Sequence, residues 1–191
     1  MRFLIGPPPK RSGAIGLDGL TAVKWRGNYM AVATTFFSVA LYVAAFLSWP
    51  IRPNINFLVQ HPLACICCGL VTAVATIVTH EFLHLLTVPN SLVAESTALG
   101  FDPRKFMFFA FTDVPMSKAD CIRFSLLPFL TLTCVPFAVA YATPDISGWW
   151  EVVAVCNAAV SSLDIIFAVI TAFKVPPSKS VHLEIDGIYY L

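Results

Sequence analysis

Long apolar runs alternate with short polar breaks along this chain. Four of the runs approach the roughly 20 residues needed to cross a hydrocarbon layer about 30 Å thick. They fall at about 29–49, 62–88, 122–141 and 149–173, and each predicts a membrane helix. Prolines mark most of the stops: Pro50 and Pro53 follow the first run, Pro89-Asn90 the second and Pro176-Pro177 the fourth. Pro128 and Pro136 fall inside the third, where kinks are expected that neighbouring helices must re-satisfy.

Two stretches outside these runs read as strand pairs. Residues 96–101 and 106–111 flank Asp102-Pro103-Arg104-Lys105, which has turn composition, so residues 96–111 predict a β-hairpin. Residues 181–190 predict a second hairpin around Asp186-Gly187. Ser117-Lys-Ala-Asp120 has the form of a capping box and should start the third helix ahead of its apolar run. The expected architecture is a single membrane domain over residues 1–191. It is an all-α bundle of about four transmembrane helices with small β additions. Residues 1–28 lack an apolar run followed by a cleavage site, so the first span is expected to direct insertion.

Composition sharpens the membrane reading. Hydrophobic residues make up 58% and charged residues 12% of the chain, and mean hydropathy is +0.77. Soluble domains carry about 25% charged residues, so this chain cannot cover itself with a polar surface. The net charge of +1 says nothing about nucleic acid, but no basic-aromatic patch is present, so no nucleic-acid partner is expected. With four spans, the N-terminus, the middle loop and the C-terminus share one side. Arg2, Lys10, Arg11, Lys24, Arg26, Arg104, Lys105, Lys118, Arg123, Lys174 and Lys179 lie there, and only Arg52 lies on the other. That bias predicts N-in/C-in orientation with both hairpins cytoplasmic. The six cysteines sit mostly in apolar stretches and are expected to act as small hydrophobic residues.

The candidate chemistry lies near the end of the second run, in His80-Glu81-Phe82-Leu83-His84. On a helix the two histidines stand one turn apart on one face, where both imidazoles can grip one zinc ion. The glutamate beside the first can serve as general base toward a water held there. Leu70 to Val78 carry no charge, and ionisable groups in such a setting mark a functional site by default. A catalytic zinc site needs a third protein ligand, and Asp164 is the only ionisable residue deep in another span. The second and fourth spans run in the same direction. Counting about 1.5 Å per residue places His80 and Asp164 at depths of roughly 27 and 22 Å, close enough to meet. Asn157, nearly two turns before Asp164, shares its face and could hold the substrate backbone or steady an oxyanion. Ser161 or Ser162 could support the carboxylate. His182 alternates along the last hairpin and is expected at the surface. Haem is excluded, since histidines four apart on one helix cannot face each other across a porphyrin. No Gly-rich phosphate loop or Ser-His-Asp order is present.

The HExxH helix, with Leu163-Asp164 on a later span and Asn157 upstream, resembles the site-2 protease type of intramembrane metalloprotease. The chain is more closely similar to a bacterial family of small membrane zincin-type peptidases, a domain of unknown function. That likeness covers roughly residues 20–191. One departure is Ile165, which stands where site-2 proteases place Gly. The resemblance implies Zn2+ as cofactor, His80, His84 and Asp164 as ligands, and Glu81 as catalyst. The expected function is zinc-dependent hydrolysis of a peptide bond in a membrane or membrane-proximal protein, near the cytoplasmic face of a bacterial inner membrane. The alternative is a non-catalytic scaffold or adaptor with a structural zinc site; a metal transporter has too few polar residues along its spans. Expected partners are the lipid bilayer, a membrane protein or peptide substrate and a second copy of the chain, because four helices are few to enclose a site.

Overall fold

In a computed structural model of the chain, Pro62 opens the longest helix, α1 (Pro62–Leu86). Its fixed φ suits a first helical turn, where the missing N–H is not needed. The structure describes residues 1–9, 21–24, 36, 39–40, 43, 59–88, 90–91, 94–143, 148–184 and 187–190. Of the first expected span, 29–49, only residues 36, 39, 40 and 43 are described, all helical; the rest lies outside the described residues. α1 closes at Thr87, whose hydroxyl and backbone N–H both bond back to the His84 carbonyl.

The burial of α1 is inverted. Its buried residues are Thr76, His80, His84 and Leu85, and the first three form a stripe spaced by four. Leu63, Leu70 and Val71 are 76%, 63% and 70% exposed. A helix of mean hydropathy 2.1 thus turns its polar stripe inward and its apolar faces outward. Water-soluble helices do the reverse.

Beyond α1 come α2 (Lys118–Phe129), a widened π-type turn at Leu130–Cys134, and α3 (Val135–Ala142). These run as one apolar segment of 25 residues. The expected capping box forms: Ser117 Oγ accepts from Asp120 N at 3.1 Å and donates to the Asp120 carboxylate at 2.6 Å. The fourth expected span arrives as two helices, α4 (Gly148–Val160) and α5 (Ser162–Lys174), bent by 50°. The break falls at Ser161-Ser162, where the Ser162 hydroxyl bonds back to the Ala159 carbonyl. Ser pairs that compete for helical carbonyls are a recognised cause of kinks. Among the described residues, two helices are long and apolar enough to cross a membrane, or three if the bent pair is one span. α1 packs on α2 and α4, and α2 packs on α5.

Among the described residues, seven strands accompany the helices: β1 (Arg2–Ile5), β2 (Thr21–Lys24), β3 (Thr97–Asp102), β4 (Met107–Thr112), β5 (Met116–Ser117), β6 (Ser180–Glu184) and β7 (Gly187–Tyr190). β3 and β4 form the first expected hairpin, and β6 and β7 the second, although Asp186 itself lies outside the described residues. The sequence pattern did not announce β1 and β2. β1 joins β3 in parallel to give the order β1-β3-β4, and β2 completes an antiparallel sheet of order β2-β7-β6-β5. That second sheet packs Val181 and Ile188 against Val88, Met116, Cys121, Phe124 and Val175, tying the helix ends together. His182 is a correction to the surface expectation. It is buried, because β6 lies between β5 and β7 and both faces of the strand are covered.

β4 is the edge strand that faces α1. The bond from Asp113 N to Ser96 O fixes which pairs of the hairpin exchange hydrogen bonds. In this register they are Ala98/Phe111, Gly100/Phe109 and Asp102/Met107. Ala110 belongs to the alternate set, so its N–H points away from β3 toward α1. Gly100 permits this geometry, because a Cβ there would lie 2.3–2.8 Å from the ring of Phe109.

Candidate metal centre

α1 delivers His80 and His84 to its buried stripe, and the bend after α4 turns Asp164 toward them in the first turn of α5. A carboxylate is well placed at a helix N-terminus, where unpaired N–H groups carry partial positive charge. His80 Nε2 lies 3.0 Å from Asp164 Oδ2, His84 Nε2 lies 3.5 Å from the same oxygen, and the two Nε2 atoms are 3.1 Å apart. A tetrahedral ion with bonds of about 2.0–2.1 Å would set its ligands about 3.3 Å apart. The three atoms already stand close to that spacing.

Proton placement gives an independent test of whether a cation fits. His84 Nδ1 is 2.6 Å from the carbonyl oxygen of Phe124. A carbonyl only accepts, so Nδ1 carries a proton and, in the neutral ring, Nε2 holds a lone pair. His80 Nδ1 is 2.8 Å from Asn157 Oδ1. The amide orientation follows from its other end, since Nδ2 lies 3.0 Å from the carbonyl of Pro128, which again only accepts. His80 Nδ1 therefore donates as well. Two imidazole lone pairs and a carboxylate oxygen converge with no proton to share between neutral rings. Asp164 Oδ2 is buried and accepts no hydrogen bond among the described residues. A buried polar atom without a partner is costly, and a divalent cation would satisfy all three donors at once. His80, His84 and Asp164 form a group that could hold a metal ion.

Glu81 stands next to His80, half-buried at the foot of β4. Its Oε2 accepts from the outward-facing N–H of Ala110 at 2.7 Å, which fixes one carboxylate oxygen and leaves the other to act.

Asn157 is fully buried, at 0% exposure. The oxyanion role expected of it would require a free donor, but Nδ2 faces the Pro128 carbonyl, Thr133 Oγ1 and Ser161 Oγ, each at 3.0 Å. Among the described residues the amide is committed within the bundle and touches the site through His80. Ser161 contributes from further out, by holding Asn157. Phe124 carried no warning in the sequence, because its contribution is a backbone oxygen. Its ring also stacks on His84, with centroids 4.6 Å apart and planes at 21°. Ala110 was equally silent, since its contribution is an N–H aimed by strand register.

Residues 73–179 match the family model described as putative zincin peptidase. The matched segment is more than half of the chain and runs from mid-α1 to the residue before β6. It includes both histidines, Glu81 and Asp164. No curated protein and no solved structure matches the chain. The family implies zinc, which agrees with the donor set of two imidazoles and a carboxylate.

Proposed function

Because the chain belongs to the zincin peptidase family, we propose that it is a membrane-embedded zinc metalloprotease of site-2 protease-like type. It would cleave a peptide bond of a membrane or membrane-proximal protein close to the cytoplasmic face of a bacterial inner membrane. The observation that carries this reading is the convergence of three lone-pair atoms from α1 and α5, with a half-buried carboxylate next to the first of them. A purely structural zinc site has no use for that carboxylate.

Bound there, zinc would supply a Lewis acid that polarises the scissile carbonyl and acidifies water. Glu81 takes the proton of the attacking water and returns it to the leaving amine. Asn157 and the Phe124 carbonyl hold the two imidazoles in the tautomer that points Nε2 inward. A substrate enters as an extended segment along the outer edge of β4, where Phe108 and Thr112 turn their backbone groups outward on either side of the Ala110 N–H that Glu81 occupies. A helical substrate has to unwind first, since its carbonyls are bonded within its own helix.

Membrane insertion is supported by the inverted burial of α1, because a helix with apolar faces out and polar stripe in suits an apolar solvent. The Lys/Arg bias supports four spans with both termini and both hairpins in the cytoplasm. The lipid bilayer, a membrane-protein substrate and a second copy of the chain remain the proposed partners.

The test is Glu81→Gln in the full-length protein. Zinc content measured on purified protein should stay at the wild-type level, while fragments of membrane proteins seen in wild-type cells disappear from the variant's proteome. Cleavage persisting at the wild-type rate would end the proteolytic reading.

A further inference from the structure

We infer that Pro128 is a positioning residue of the metal centre, and that it acts through the N–H it lacks. The inference rests on the zinc site proposed above and extends it to a residue that touches none of the ligands with its side chain.

In α2 the N–H of each residue bonds to the carbonyl four residues earlier. Residue 128 is proline, so the carbonyl of Phe124 has no partner at that position. The pyrrolidine ring also crowds that carbonyl and pushes it off the helix axis. This freed oxygen accepts the proton of His84 Nδ1 at 2.6 Å. An ordinary residue at 128 would present an N–H to the same oxygen, and the two donors would compete.

The second histidine depends on the same residue. The carbonyl of Pro128 accepts from Asn157 Nδ2 at 3.0 Å, which turns Oδ1 toward His80. Both imidazoles are thus held in the metal-binding tautomer by acceptors that trace to one helical irregularity. Pro128 is fully buried on a helix that packs against α1, α4 and α5. A proline inside a helix is costly, and here its local disruption supplies the acceptors that both ring orientations require.

The experiment separates the missing N–H from the shape of the ring. Zinc affinity is measured by chelator competition on full-length protein in lipid nanodiscs for three forms: wild type, Pro128→Ala, and protein with the α-hydroxy acid analogue of alanine at position 128. The last has the side chain of alanine but an ester oxygen where alanine has N–H. Pro128→Ala should weaken zinc binding by about 10–100-fold, the usual effect of losing an outer partner of a ligand. The ester form should keep wild-type affinity. Absorption bands of the Co2+-loaded forms should shift for Pro128→Ala and not for the ester, and thermal unfolding without metal checks that each form is folded.

Wild-type affinity in Pro128→Ala would overturn the inference. Equal loss in both altered forms would overturn it too, because the ring would then matter and not the absent donor. Should Pro128→Ala fail to fold, the ester form decides alone, with retained affinity supporting the inference and lost affinity overturning it. A wild-type protein that binds no zinc would remove the metal centre itself, and this inference with it.

Discussion

Replacing Asn157 by alanine distinguishes two roles for a residue that the sequence places near the site. The change deletes the acceptor of His80 Nδ1 and the donor shared by Pro128 O, Thr133 Oγ1 and Ser161 Oγ. Nδ2 carries two hydrogens for its three acceptors, so the change removes three hydrogen bonds, and a net worth of about 0.5–1.5 kcal/mol for each puts the loss in fold stability at about 1.5–4.5 kcal/mol. The lower half of that range is expected, because Thr133 already has a second acceptor in the Ala154 carbonyl and hydroxyls re-aim easily. The Pro128 contact bears on zinc by aiming the amide, and the contact to His80 meets a metal ligand directly. Its loss frees the imidazole to rotate and change tautomer, which weakens binding by about 10–100-fold, or about 1.4–2.7 kcal/mol. The assay is chelator competition on purified protein, with metal-free thermal unfolding as the control. An oxyanion donor would give a different pattern: turnover would fall while zinc binding stayed intact. Wild-type zinc affinity in Asn157→Ala would refute the reasoning from tautomer control.

Three further substitutions probe the rest of the site. Asp164→Ala removes one of the three converging donors, so zinc occupancy should fall by more than the roughly 10–100-fold typical of an outer partner; metal analysis showing full occupancy would strike Asp164 from the ligand set. Ala110→Pro deletes the N–H that holds Glu81 without removing a ladder bond to β3, because that N–H points away from β3. A hydrogen bond to a charged group is worth about 1.5–3 kcal/mol, so cleavage should drop by roughly 10–100-fold with zinc content unchanged. Unchanged cleavage would show that Glu81 needs no anchor. Gly100→Ala drives a methyl into the Phe109 ring, and overpacking of this kind costs about 1–3 kcal/mol. A lowered thermal midpoint with reduced cleavage is expected, and an unchanged midpoint would mean that the ring swings away freely.

The sequence made the helices from residue 62 onward and both hairpins readable because they rest on local periodicity and turn chemistry. The run beginning at Pro62 reads as a helix without any tertiary information, and Ser117-Asp120 marks the next start in the same way. β1 was not readable, since four residues at the N-terminus carry no signal that they will pair in parallel with Thr97–Asp102. The bend at Ser161 was equally hidden. A Ser-Ser pair inside an apolar run is compatible with a straight helix until packing selects the kinked one. At the site, side-chain donors could be found by residue type and depth, while the groups that orient them could not. Phe124 and Ala110 act through backbone atoms, which every residue has, so only the fold can single them out.

Among the described helices, the irregular parts at Pro128, Leu130–Cys134 and Ser161 fall around the metal centre. α2 carries Pro128 and is followed by the widened turn at Leu130–Cys134, and the segment from α4 to α5 breaks at Ser161. A regular helix consumes its own carbonyls and N–H groups, leaving none for a neighbour. In an apolar interior no water replaces them, so a departure from regularity is costly unless another group takes up what it releases. Here the Phe124 carbonyl is taken by His84, and the Pro128 carbonyl by Asn157, which also reaches Ser161 at the bend. The bend in turn delivers Asp164 at a fresh helix start. The carbonyls freed at Phe124 and Pro128 are thus taken by a metal donor and by a group that orients one. Such breaks in local rule are expected where a site requires them. Straightening any one of these helices should therefore loosen the centre before it unfolds the bundle.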